Sequence, residues 1–121
     1  LLLKQTKPNG GNYSLVGGTI EKNEFAKACL IRESKEEAGI ILSKHNLELV
    51  HVLHKRSKSE HRIVLYFKAM VFSGAPRSLE PDKFKSATWF SMNELPLKLT
   101  NTVRQVLKAY RTDEFYSELE K

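Results

Sequence analysis

From Gly17 to Ile40 the chain runs GGTIEKNEFAKACLIRESKEEAGI. Two glycines make a tight turn, and a helix is expected from about Glu24 to Ala38 with Gly39 as its stop. Glycine just past a helix accepts the left-handed conformation without a Cβ clash. Spacings of three and four place Glu33, Glu36 and Glu37 on one face of that helix. Like charges so placed repel by about 0.2–0.5 kcal/mol per pair. They also crowd the helix end whose dipole disfavours anions, by about 0.3–1 kcal/mol each. A divalent cation is the compensating partner this pattern calls for.

Outward from the helix, strands and turns alternate. LLLKQ and NYSLV read as strands separated by the polar loop KPNGGN. LELVHVLHK and HRIVLYFKAMVF have the β-branched and aromatic content of two strands, joined by RSKSE. GAPRSLEPDKFK is a loop, SATWF a last short strand, and NTVRQVLKAY a helix with Val103, Val106, Leu107 and Tyr110 on one stripe. The order β-β-α-β-β-β-α describes an α/β (α+β) domain, a mixed sheet with helices packed against it. The chain begins on an apolar strand without Met, so a further sheet strand upstream is expected.

Composition sets the class. A chain of 121 residues makes one domain, taken as 1–121. At 40% hydrophobic and 28% charged it is globular, and no apolar run nears the ~20 residues of a membrane helix. Cys29 is the single cysteine, which excludes an internal disulfide and favours a reducing, cytoplasmic setting. The formal charge is +6, yet Glu21 to Glu37 holds five Glu against four Lys/Arg, leaving +7 elsewhere. An acidic cluster in a basic surround suits a polyanionic substrate delivered to a metal, and the same charge also serves plain solubility.

Counted from Gly18, the segment has Glu24, Arg32-Glu33, Glu36-Glu37 and Gly39-Ile40 in fixed register. It resembles the Nudix box, G-x5-E-x7-R-E-U-x-E-E-x-G-U, with U a bulky aliphatic. Only the first U departs, being Ser34. NYSLVGG looks like the family's strand into the glycine turn, with Val16 where proline is common, and WFSMNELP is similar to the stretch that follows the family's sheet. The resemblance implies a Nudix-like mixed sheet sandwiched between helices. It also implies Glu33, Glu36 and Glu37 as metal-binding and base residues, Gly17 as a carbonyl ligand and Glu24 as a structural member. Glu33 is taken as the base, and Arg32, Glu36 and Glu37 complete the catalytic set.

The residues suit that chemistry. Magnesium takes hard oxygen ligands, keeps several waters and is usually held by one or two carboxylates plus substrate phosphates. Ile31, Ser34 and Ala38 lie opposite the glutamates, so that side packs on the sheet. Arg32 is placed to orient Glu33, and Gly17 can approach a metal closely for want of a side chain. Ser34 puts a small polar group where an aliphatic belongs, weakening the packing by about 1–3 kcal/mol. Alternating Glu and Lys also suits a solvated helix face. The complete box with both glycine turns favours the metal site.

Outside the box, Glu80 either reaches the metal from its loop or caps a turn. Asn101 either caps the last helix or, as in MutT-like members, contacts the nucleobase. Trp89 and Phe90 are expected in the core. His45, His51, His54 and His61 show no metal-ligand spacing on a helix, and Lys55, Arg56 and Arg62 flank a hairpin turn, where they are either simply solvated or one of them meets a phosphate. Two functions follow from the resemblance. One is a Mg²⁺-dependent (or Mn²⁺-dependent) MutT-like hydrolase of a diphosphate linkage in a nucleoside triphosphate or related nucleotide. The other is a Nudix-fold module that binds nucleotide or RNA without turnover. The partner is a small nucleotide, with no membrane and no protein partner indicated, and both monomer and homodimer stay open.

Overall fold

The computed structural model describes residues 1–121. In chain order it contains β1 (Leu2–Gln5), β2 (Tyr13–Ser14), α1 (Ala26–Ala38), β3 (Ile41–Leu42), β4 (Leu47–Arg56) and β5 (His61–Ala69). Then follow β6 (Phe72–Ser73), β7 (Phe84–Thr88), α2 (Asn101–Arg111) and β8 (Tyr116–Glu120). The α+β class expected from the sequence is present, with the pairing divided into three ladders: β2-β1-β7, β3-β6 and β5-β4-β8. The last is mixed, with β4 antiparallel to β5 and parallel to β8.

β1 lies at the centre of the packing. Successive strand residues point to opposite faces, and Leu2 and Leu3 use this to serve two cores. Leu2 packs with Leu99 and Val103 on the α2 side, joined by Tyr13, Leu15, Phe90, Leu95 and Leu107. Leu3 packs with Ala38 and Ile40 on the α1 side, joined by Val16, Leu42, Phe84 and Ala87. α2 buries Val103 and Val106 of the expected stripe together with Ala109, while Leu107 and Tyr110 are only half-buried.

Several local expectations change. α1 begins at Ala26 rather than Glu24, because the Glu24 carboxylate turns back to accept the Glu21 N–H at 2.9 Å and closes a turn ahead of the helix. The cap of α2 is Thr100, whose hydroxyl accepts from the Val103 N–H at 3.2 Å; Asn101 is the first residue inside the helix. Trp89 is half-exposed and stacks on Phe72 with ring centroids 4.9 Å apart, whereas Phe90 does enter the core against Tyr13. β8 has no counterpart in the sequence reading. It is fastened by fully buried His51, whose Nδ1–H donates to the Glu114 carbonyl at 2.8 Å while Nε2 accepts from the Ser117 hydroxyl at 2.7 Å. Gln105 of α2 donates to the same Ser117 oxygen at 3.0 Å, so one network ties β4, β8 and α2 together.

Candidate active site

The carboxylates of α1 do not share one environment. Glu37 is buried beside Ser34 and Ala38, Glu33 is half-buried, and Glu36 is exposed. The sheet-facing side of the helix therefore includes Glu37 as well as Ser34 and Ala38. Ser34 is 2% exposed, and its small side chain belongs to the same tightly packed face.

Most of the charge compensation comes from within the box. Arg32 holds Glu24 with two hydrogen bonds, Nε to Oε2 at 3.1 Å and Nη2 to Oε1 at 2.8 Å. Its Nη1 donates to Glu33 Oε1 at 2.6 Å and to Glu36 Oε2 at 3.3 Å. Hydrogen bonds from Arg32 and from the Glu21 backbone drop the Glu24 carboxyl to about 2. Glu24 and Glu33, in turn, push the Arg32 guanidinium above its usual range. The repulsion expected to require an external cation is thus largely met by Arg32 for Glu33 and Glu36, and Glu33 is held in orientation as the sequence implies.

Glu37 is the exception, because Arg32 does not reach it. Its Oε1 accepts the Gly17 N–H at 3.1 Å. Burial nonetheless pushes its carboxyl up to about 7, with the charges of Glu33 and Glu80 adding to the rise and the Gly17 hydrogen bond and Lys83 opposing it.

Glu80 reaches this spot because the loop before β7 docks on the end of α1. The left-handed Gly39 (φ 69°) closes the helix, its N–H bonding the Lys35 carbonyl at 3.2 Å. The N–H groups of Arg77 and Leu79 then satisfy the carbonyls of Ala38 and Glu37 at 3.1 and 3.0 Å. A Cβ on Gly74 would stand 2.6 Å from the Gly39 carbonyl oxygen, so the loop can lie this close only with glycine there. The Glu80 carbonyl accepts from Lys83 and Phe84, capping a turn, while its side chain faces inward. Its Oε2 is buried without a hydrogen-bond partner, the nearest cation being Lys83 Nζ at 3.5 Å. The turn reading of Glu80 is met by its backbone, and its side chain stands near Glu37.

The glycine turn divides its work in a way the sequence reading missed. Nothing crowds Gly17, whose N–H anchors Glu37, whereas a Cβ on Gly18 would stand 2.6 Å from Glu33 Oε1. The close approach is at Gly18. Asn101 is exposed as the first residue of α2 and makes no hydrogen bond to the carboxylates. The segment before it bridges to β2, with Leu99 beside Tyr13 and the Tyr13 N–H donating to Lys98 O at 2.7 Å.

The NUDIX domain model matches residues 1–110 of this chain. The chain belongs to the NUDIX domain family. It is 31% identical over 110 residues to an ADP-ribose pyrophosphatase of Methanocaldococcus jannaschii, covering 91% of this chain and 63% of that protein. It is 32% identical over 96 residues to an NAD-capped RNA hydrolase NudC of Pseudomonas aeruginosa, covering 79% of this chain and 33% of NudC. The chain thus spans under two thirds of the length of either relative. Among solved structures, a MutT NUDIX hydrolase from Burkholderia pseudomallei is 33% identical with a TM-score of 0.77, covering 88% of this chain and 84% of that one. A mutator MutT protein from Bacillus halodurans, at 22% identity and TM-score 0.76, covers 98% of this chain and 79% of its own and shares the fold.

Proposed function

We propose that residues 1–121 form one NUDIX hydrolase domain that cleaves a diphosphate linkage in a nucleoside triphosphate or another nucleoside diphosphate derivative, with Mg²⁺ or Mn²⁺ as cofactor. The observation that carries this reading is the meeting of Glu33 and Glu80 at buried Glu37, whose one donor is the Gly17 N–H and which Arg32 does not reach. Glu37 is buried with a raised carboxyl, and Glu80 Oε2 is buried without a hydrogen-bond partner, with Lys83 Nζ 3.5 Å away. An unpaired buried carboxylate oxygen is costly, and a hard cation supplies the missing positive charge. These carboxylates do not form a ready-made cage of three or more ligands. Magnesium fits all the same, because it needs one or two carboxylates and fills its other positions with water and phosphate.

In this reading Glu37, Glu33, Glu36, Glu80 and the Gly17 carbonyl would hold the cation. When bound, the cation supplies Lewis-acid polarisation of phosphoryl oxygen and neutralises developing charge. Glu33 takes the proton from the attacking water; Arg32 occupies its Oε1 and leaves the second oxygen free for that role. Gly17 and the docked loop fix Glu37 and Glu80 before substrate arrives, which lowers the reorganisation needed in the transition state. Asn101, exposed at the start of α2, offers an amide donor and acceptor to a nucleobase edge. The domain acts on a small nucleotide in the cytoplasm, and no helix is long and apolar enough to cross a membrane.

The test is a product screen over nucleoside triphosphates, ADP-ribose, dinucleotides and nucleotide sugars with Mg²⁺, Mn²⁺ or chelator. Metal-dependent release of a nucleoside monophosphate is expected. Saturable binding across the panel with no turnover in either metal would instead identify a recognition module.

A further inference from the structure

The tip of the β4–β5 hairpin collects positive charge far from the carboxylates. The strand register puts Lys55 directly opposite Arg62. The Lys121 N–H donates to the Arg56 carbonyl at 2.8 Å, which brings a further lysine to the same rim. A concavity there is lined by Lys55, Arg56, Ser57, Glu60, Arg62 and Lys121, with no hydrophobic residue. Glu120 pairs with Arg56 at 2.9 Å and Glu60 stands 3.6 Å from Arg62. No carboxylate lies in ion-pair range of Lys55 or Lys121. Like charges directly opposite on neighbouring strands are destabilising, and this cluster is only half neutralised by its own acids. The Lys55 ammonium is lowered, by burial first and then by Lys121 and Arg62, with Glu60 opposing.

We infer that this hairpin pocket is a binding site for a phosphate oxyanion. Arg62 presents a planar fork suited to two phosphate oxygens, and Lys55 and Lys121 act as point charges beside it. The pocket is separate from the catalytic carboxylates. α1 packs near the Lys44–Asn46 turn at the foot of β4, and nine residue steps along β4 carry the chain about 30 Å to the tip. A mononucleotide held at the carboxylates does not extend that far. The phosphate is therefore either a free anion or one unit of a longer polynucleotide backbone.

The experiment is a heteronuclear NMR titration with inorganic phosphate in chelator, so that no cation fills the carboxylate site. Saturating amide shifts are expected at residues 55–62 and 121. The Lys55→Gln/Arg62→Gln double variant should bind phosphate about tenfold or more weakly, the loss expected from two charge-assisted hydrogen bonds. Lys44→Gln/Lys98→Gln, with the same net charge change elsewhere, should leave the affinity unaltered. The same spectra report the fold, and Arg62→Lys, which keeps the charge, gives a second variant that should lose less than the double. Equal affinity in the two double variants, or shifts that spread without saturating, would overturn the site. A second arm replaces phosphate with a short single-stranded oligoribonucleotide. Tighter binding with log K falling by about 0.7 per phosphate against log salt assigns the pocket to a polynucleotide backbone; affinity no better than phosphate assigns it to a free anion. Catalytic activity is not read, so this site and the hydrolase stand or fall separately.

Discussion

The two helices of this domain flank the same strand and are built on opposite principles. α2 is a packing element: a threonine hydroxyl caps its first turn, and Val103, Val106 and Ala109 bury a continuous apolar stripe. α1 has no side-chain cap, starts behind the exposed Phe25, and buries Glu37 and Ser34 where an ordinary helix would bury aliphatics. Arg32 and the docked Glu80 loop keep this arrangement folded. The contrast fits the proposed site, in which α1 gives up stability for chemistry, since buried carboxylates short of donors persist where a ligand completes them.

That contrast can be broken from either side. The largest effect is expected in α1: Glu33→Gln or Glu37→Gln should lower kcat/KM by about 10²–10⁴-fold. The metal-free Glu37→Gln variant should melt no lower than wild type, because it loses a buried repelling charge, whereas Glu33→Gln also gives up its bond from Arg32. Steady-state kinetics beside thermal melts check both halves, and wild-type rates would remove the assignment. In α2 the pattern should invert. Val106→Ala is expected to cost about 1.5–3 kcal/mol of stability, measured by urea denaturation, with kcat little changed in the folded enzyme.

A smaller difference separates neighbours at the start of α2. Thr100→Ala should cost about 1 kcal/mol through loss of the cap, while Asn101→Ala should cost little, being exposed inside the helix. If Asn101 meets the base, its removal should lower kcat/KM for purine nucleotides by about 1–3 kcal/mol and leave pyrimidines alone. An unchanged purine-to-pyrimidine ratio would take Asn101 out of the site.

The smallest effect is a slope with pH, and Glu37 in α1 and Glu24 ahead of it give opposite signs. The folded Glu37 carboxyl, near 7 against an ordinary 4.5, binds more protons than the unfolded chain between those values. Its stabilising contribution is fully present below about pH 4.5 and is lost as pH rises through about 7. Glu24, held near 2, contributes above about pH 4.5 and loses that contribution as pH falls through about 2. Denaturation of metal-free protein from pH 5 to 8 should show a decline that is flatter in Glu37→Gln.

Much of this was legible in the sequence because local rules govern it. Gly39 sits where only a left-handed residue ends the helix, Arg32 pairs with glutamates at box spacing, and the α2 stripe follows the helical period. What escaped depends on contacts between distant segments. β8 pairs with β4 across more than sixty residues, and its alternating Tyr116, Glu118 and Glu120 were the only local sign of it. The unequal burial of Glu36 and Glu37 depends on where the sheet lies, which periodicity alone does not give. Trp89 was expected inside on its apolar character, yet it covers Phe72 at the surface. The inward turn of Glu80 follows from Gly74 packing on Gly39, a contact between two loops.

The central claim, that Glu33, Glu37 and Glu80 hold a divalent cation, is tested most directly by thermal melts of wild type, Glu37→Gln and Glu80→Gln with Mg²⁺ or with chelator. A cation that binds only the folded state should raise the wild-type midpoint, by the equivalent of about 2.7 kcal/mol at one hundred times its Kd. The shift should shrink or vanish in both variants. A wild-type midpoint that is the same with Mg²⁺ and with chelator, or a shift retained in full by both variants, would contradict it.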